Sequence, residues 1–236
     1  MQIQLSKRIE VLQESITIAI STLAKRLKEE GKDVLNFGAG EPDFDTPTPI
    51  KDEAKKALDG GFTKYTAVEG IAPLLQAIAD KLKRENGIEY SPKDIITSNG
   101  AKQSLFNLFA AIVDEGDEVI IPAPYWVSYV EMVKLAEGTN VVISAGIEQD
   151  FKITPAQLEA AITPKSKAII LCSPSNPTGS VYSKEELAGL AEVLAKYPNI
   201  IVLSDEIYEH INYVGAHESI AQFESIRDRV VVINGV

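Results

Sequence analysis

The sequence predicts an α/β protein built on a mostly parallel β-sheet with helices on both faces. Three observations predict it. Short apolar, β-branched runs recur from residue 94 onward, separated by helical stretches. The runs are unbroken rather than alternating, as in IIVL at 200–203, which marks strands buried on both faces. The loops that follow them carry Gly, Pro, Asn and Asp, the residues that end an element.

Taken in order, residues 7–30 read as a helical N-terminal segment, clearest in ISTLAKRLKEEG, which Gly31 closes. A short strand is expected at 34–37. GAGEPDFDTP (38–47) then turns, either as a plain loop or as amides presented to an anion. A helix follows at 48–59, an exposed loop KYTAVEG at 64–70, and an amphipathic helix at 71–86 stopped by Asn86-Gly87. Strands are expected at 94–97, 118–121, 140–144, 167–172, 200–203 and 230–233. Helices are expected at 103–113, after PAPYW to about 137, at 155–162 and at 184–197, with a short one from about Glu206. Ser183 with Glu186 three residues on is a capping box for the helix at 184. Six strands with intervening helices give a sheet whose connections run over both faces.

Composition removes several function classes. The 236 residues suffice for one large domain or a domain and a half. A net charge of −11 with scattered Lys and Arg argues against a nucleic-acid partner, which needs a clustered basic face. No apolar run is long enough to span a membrane, and MQIQLSKRIEVLQ lacks the apolar core of a signal peptide. Cys172 is the single cysteine, so a disulfide framework is excluded and a reducing cytoplasm is the default location. His210 and His217 are the only histidines. Glu206, Glu209 and His210 have a spacing that suits metal ligands, but without a second histidine nearby no metal is expected.

Four loops, SNGAK, PAPYW, SPSNPTG and SDEIY, fall at the carboxyl ends of expected strands, the edge where such sheets bind ligands. Gly100, Ala101 and Lys102 open a helix whose amides and dipole suit a phosphate. Trp126 can stack on a flat ring or pack in the core. Asn176 offers an amide or starts a turn. Asp205 either caps the following helix or keeps a heteroaromatic nitrogen protonated, and Tyr208 offers a phenol one turn on. Together they suit a phosphorylated aromatic cofactor with a ring nitrogen and a ring hydroxyl.

At these residues the sequence resembles the class I aminotransferases of the fold-type-I pyridoxal-phosphate enzymes. It looks closest to the bacterial and plant-type aspartate aminotransferases that include prephenate aminotransferases. GAGEPDF (38–44), KYTAVEG (64–70), SNGAKQSLFNLF (98–109), PAPYWVSY (122–129), SPSNPTG (173–179) and SDEIYE (204–209) occur in family order along nearly the whole chain. The resemblance implies pyridoxal 5′-phosphate as cofactor, with Asp205 on the pyridinium nitrogen, Tyr208 and Asn176 on the ring oxygen, and Trp126 stacked on the ring. It implies Gly100, Ala101 and Lys102 at the phosphate, with Tyr65 reaching the phosphate of the neighbouring subunit of a homodimer. It implies the Gly40 amide at the substrate α-carboxylate, with Trp126 and Asn176 also lining the substrate. Lys102, which could equally be a solvated charge, and Thr17 are implied at the distal carboxylate of a dicarboxylic substrate. The activity implied is amino transfer between an amino acid, aspartate first, and a 2-oxo acid, 2-oxoglutarate first. Prephenate, aromatic or alanine aminotransferase is the alternative within the fold. A non-catalytic binding protein of the same fold is the alternative outside enzymes.

In the resembled family a Schiff-base lysine follows the strand matching residues 230–233, in a segment like N-G-x-x-K. Here the chain reads Asn234, Gly235, Val236, so that lysine is expected just beyond Val236. The chain is therefore expected to be a fragment that is inactive alone. Residues 1–47 are expected as an N-terminal arm and part of a small domain, and 48–236 as an incomplete cofactor-binding large domain.

Overall fold

The computed structural model describes residues 4–12, 16–38, 40 and 44–235, without the side chains of Ile16 and Thr17. The chain forms two compact units, Met1–Leu12 with Ala72–Val236, and Gln13–Ile71.

The first unit holds the sheet. Its strands are β1 (Glu118–Ala123), β2 (Thr139–Ser144), β3 (Ser166–Cys172), β4 (Ile201–Asp205) and β5 (Val230–Ile233). They lie in the order β2-β1-β3-β4-β5, and every pairing is parallel. Its helices include α1 (Lys7–Glu10), α4 (Ala72–Lys81), α5 (Ala101–Ile112), α6 (Ser128–Leu135), α7 (Pro155–Ala161) and α8 (Lys184–Ala195). Strand side chains alternate between the two faces. Ile120, Ile169, Leu171 and Val202 pack with Leu158 of α7 and Leu190 and Leu194 of α8. Val119, Ile121, Ile170 and Leu203 pack with Leu105 and Phe109 of α5 and Val133 of α6. The unbroken apolar runs are explained by these two covers.

The strand order fixes where a ligand can bind. From β1 the chain steps outward to β2, then returns to place β3 on the other side of β1. The connections after β1 and after β3 therefore leave in opposite directions and open a crevice at the carboxyl ends of these two strands. The opposite end of the sheet is closed by Arg229. Its guanidinium donates to the carbonyls of Leu194 at 2.7 Å, Tyr197 at 2.9 Å and Ile200 at 2.6 Å, and so ties the end of α8 and the turn after it to the residues that lead into β5.

Four expectations are corrected. Residues 94–97 stand outside the ladder. Pro92–Asp94 is a 3-10 turn, in which Asp94 accepts from the Ser91 amide at 3.0 Å, and Ile95 is extended without joining the sheet. Residues 34–37 also join no ladder among the described residues. Both runs have strand composition, but a strand exists only where a neighbour supplies hydrogen bonds. The short helix expected from Glu206 is a run of turns, in which the Glu209 amide bonds the Glu206 carbonyl and the Ile211 amide the Tyr208 carbonyl, while the Glu206 amide extends the ladder to the Ile233 carbonyl at 2.8 Å. The helix at 71–86 ends as a π-helical turn, Leu82–Asn86, closed by left-handed Gly87.

The second unit contains α2 (Ile16–Glu29) and α3 (Thr48–Asp59). Ile20, Leu23 and Leu27 of α2 and Val34, Leu35 and Phe37 line a hollow of about 370 Å³. Phe37, Phe44 and Tyr65 are exposed.

Candidate active site

Asp205 is the last residue of β4 and only 3% exposed. It stands opposite Cys172 of β3 and Ile233 of β5 in the parallel register. Tyr129 on α6 donates its phenol to Asp205 Oδ2 at 2.5 Å, and the Ile207 amide donates to Oδ1 at 3.3 Å. Burial pushes the Asp205 carboxyl above its usual range, while these two donors pull it back. Burial, with Cys172 and Asp205 alongside, holds the Tyr129 phenol far above its ordinary value, so it remains a donor. Burial and the Asp205 charge push the Cys172 thiol up to about 12. Two neutral groups thus surround one carboxylate, and a cation arriving at Asp205 offsets the cost of its burial.

The other elements converge on this carboxylate. The Trp126 ring meets the Tyr129 ring edge-on, with centroids 5.4 Å apart at 86°. Lys102 Nζ lies 4.9 Å from the Trp126 centroid, a cation–π contact that brings the start of α5 to the same place. Gly100 precedes α5 with φ +86°, which L side chains rarely adopt. The first-turn amides of Ala101 and Lys102 have no preceding turn of helix to bond, and the α5 dipole adds positive character there. After β3, Asn176 Nδ2 donates to Tyr208 Oη at 2.9 Å. A cavity of about 20 Å³, room for one water, opens among Tyr125, Tyr129, Cys172, Ser175 and Tyr182 at the crevice between β1 and β3.

The structure therefore links Lys102, Trp126 and Asp205 through Tyr129, and Asn176 with Tyr208, three residues after Asp205. Gly40 and Tyr65 belong to the second unit. Thr17 lies on α2 of that unit, and its side chain is outside the described residues. Tyr129 was not singled out by sequence reasoning. An aromatic on an apolar helix reads as core, and the usable signal was its place one helical turn after Trp126.

The donor set fits pyridoxal phosphate: a buried anion for a pyridinium nitrogen, a paired amide and phenol for a ring oxygen, an indole to stack, and a helix start for a phosphate. Metal ions fit less well. Among the described residues Glu85, Glu209 and His210, and Glu206, Glu209 and His217, bring ligand atoms within 4.8 Å of one another. The Lys81 ammonium, however, already sits on Glu209.

Fold and site together define a parallel α/β protein with a crevice at its strand tips and a buried carboxylate beside it. The profile of the family described as Aminotransferase class I and II matches residues 32–236, and the chain belongs to that family. It is 54% identical to an aspartate/prephenate aminotransferase of Nitrosomonas europaea and 52% identical to an aspartate aminotransferase of Bacillus subtilis. Each match covers 99% of this chain, and 59% and 60% of those proteins. Its structure is similar to that of the aspartate aminotransferase of Rhizobium meliloti, at a TM-score of 0.96 and 43% identity, over 100% of this chain and 59% of that one. The Thermus thermophilus aspartate aminotransferase with maleate gives a TM-score of 0.94 at 43% identity, over 100% of this chain and 61% of that one. The chain thus spans about 59% of the length of such relatives.

Proposed function

We propose that the full-length protein transfers an amino group between aspartate and 2-oxoglutarate with pyridoxal 5′-phosphate. The observation that carries this reading is the buried carboxylate of Asp205 at the tip of β4, hydrogen-bonded by Tyr129 beside the crevice between β1 and β3. Once bound, the cofactor supplies the electron sink for bond breaking at the substrate α-carbon.

The residues of this chain bind and orient it. Asp205 holds the ring-nitrogen proton. Asn176 and Tyr208 address the ring oxygen, Trp126 stacks on the ring, and Gly100, Ala101 and Lys102 receive the phosphate. Gly40 serves the substrate α-carboxylate, with Lys102 and Thr17 at the distal one, and Trp126 and Asn176 line the same substrate. Tyr65 serves the site of a second subunit, which makes the protein a homodimer. Residues 1–47 form an arm and part of a small domain, and 48–236 the cofactor-binding domain. Among the described residues no helix is long and apolar enough to cross a membrane, and a cytoplasmic location goes with this reading. Relatives named aspartate/prephenate aminotransferases favour prephenate as a second acceptor.

The test is titration of the purified protein with pyridoxal phosphate, followed by absorbance. The wild type is expected to bind saturably. Asp205→Ala is expected to lose about 3 kcal/mol, more than a hundredfold in Kd, as when one partner of a buried charge pair is removed. Equal affinity of the two proteins overturns the reading. A panel of amino donors follows, assayed on the full-length protein, in which Lys102→Ala should selectively harm dicarboxylates.

A further inference from the structure

The residue after Asp205 is a second buried carboxylate, and the proposed function gives it no task. Glu206 is 1% exposed. Its Oε1 accepts from Ser204 Oγ at 2.7 Å and from Ser219 Oγ at 2.6 Å. Its Oε2 lies 2.8 Å from His217 Nε2. Its amide extends the ladder to the Ile233 carbonyl. Ser204 and Glu206 meet on one side of the chain, while Asp205 between them faces Tyr129.

These contacts close a loop. Residues 207–216 leave from Glu206 and return at His217 and Ser219, and Ser219 Oγ also accepts the Ala221 amide at 3.2 Å. The tip of the loop has little packing of its own, since Ile211, Tyr213 and Val214 are exposed. Tyr208, whose phenol meets Asn176, rides on this loop. Its position is set on one side by the neighbouring Glu209, which is buried and accepts from Lys81 and from Asn86 at 2.7 Å, and on the other by the base of the loop at Glu206. Two of the three side-chain donors there come from residues eleven and thirteen positions further on.

We propose that His217 is a positioning residue of the cofactor site, acting through Glu206 to hold the loop that carries Tyr208 beside Asp205. His217 Nδ1 is buried and has no hydrogen-bond partner among the described residues. The partners therefore assign the imidazole proton to Nε2, which donates to Glu206. A glutamine at 217 offers a side-chain N–H to the same carboxylate, whereas alanine leaves one carboxylate oxygen without its donor. The relevance to the cofactor rests on the proposed function. The clamp itself does not.

The experiment has two arms on the same purified proteins: wild type, His217→Gln, His217→Ala and Ser219→Ala. Amide hydrogen exchange of residues 207–216, without cofactor, tests the clamp. Exchange is expected to quicken about tenfold in His217→Ala, the size of one lost hydrogen bond, and to return towards wild type in His217→Gln. Titration with pyridoxal phosphate tests the consequence. Affinity is expected to fall about tenfold in His217→Ala and to recover in His217→Gln. If His217→Ala does not fold, Ser219→Ala is expected to give the same pattern at smaller amplitude. Unchanged exchange in a folded His217→Ala, or a His217→Gln protein as impaired as His217→Ala, overturns the proposal. Faster exchange with unchanged affinity also overturns it, leaving the clamp purely structural. A wild type that binds no cofactor sinks the proposed function instead, and the exchange arm still decides the clamp.

Discussion

Asp205 and Glu206 are neighbours in sequence, both carboxylates and both buried, yet their surroundings differ in kind. Glu206 collects two hydroxyls, one imidazole and a ladder position. Asp205 has one phenol and one long amide contact, and burial pushes its carboxyl up. The first arrangement holds a fold together, because each strong acceptor has its donors. The second leaves a charge short of partners at a strand tip, which costs stability and creates affinity for a cation. One residue of chain separates a carboxylate with its donors from one that is short of them.

The contrast can be broken by substitution. The largest effect is expected at Glu206→Leu, which strands Ser204, Ser219 and His217. It should destabilise the protein by about 3 kcal/mol in urea unfolding, and a loss below about 1 kcal/mol would dissolve the contrast. Lys81→Met leaves Glu209 buried without its ammonium. It should cost about 2 kcal/mol, less than a fully buried pair, because Lys81 is partly in water. Burial pushes the Glu209 carboxyl up, but the hydrogen bonds from Lys81 and Asn86 help to outweigh it and leave it below its usual range. Its contribution is therefore present above the ordinary carboxylate value and is lost as pH falls through the lowered one. The Lys81→Met penalty should accordingly shrink in acid.

Asp205 should show the opposite sign. A carboxyl raised by folding favours the folded state at low pH, and that contribution disappears as pH rises through the raised value. Asp205→Asn should thus melt higher than wild type at neutral pH without cofactor, and the gap should close below the ordinary value of 3.8. An Asp205→Asn protein that melts lower at neutral pH would mean that both carboxylates are structural. The smallest effect is expected at Tyr129→Phe. Removing the phenol should move the Asp205 titration, followed by carboxyl NMR, further upward, with about 1 kcal/mol of stability lost.

The sequence showed the strands that have neighbours and overstated those that do not. Runs of β-branched residues located β1 to β5, and Ser183 with Glu186 located the start of α8. Residues 94–97 and 34–37 look the same locally but join no sheet among the described residues, since pairing is not a local property. Within the site, Asp205, Trp126, Asn176 and Tyr208 could be singled out because charge, indole, amide and phenol at strand ends suggest chemistry. Tyr129 was hidden by its resemblance to a packing residue. Glu206 was weighed only as a metal ligand, because its real partners, His217 and Ser219, lie beyond a loop that sequence spacing does not close.

The single cysteine supplies an internal clock. Cys172 is half-buried beside Asp205, and burial with the Asp205 charge pushes its thiol up to about 12, so a soluble alkylating reagent should react with it slowly while β3 and β4 stay paired. Any opening of the floor beneath the carboxylate should quicken that labelling. The labelling rate would thus respond to that opening without any added probe, and a ligand seated on Asp205 should slow it.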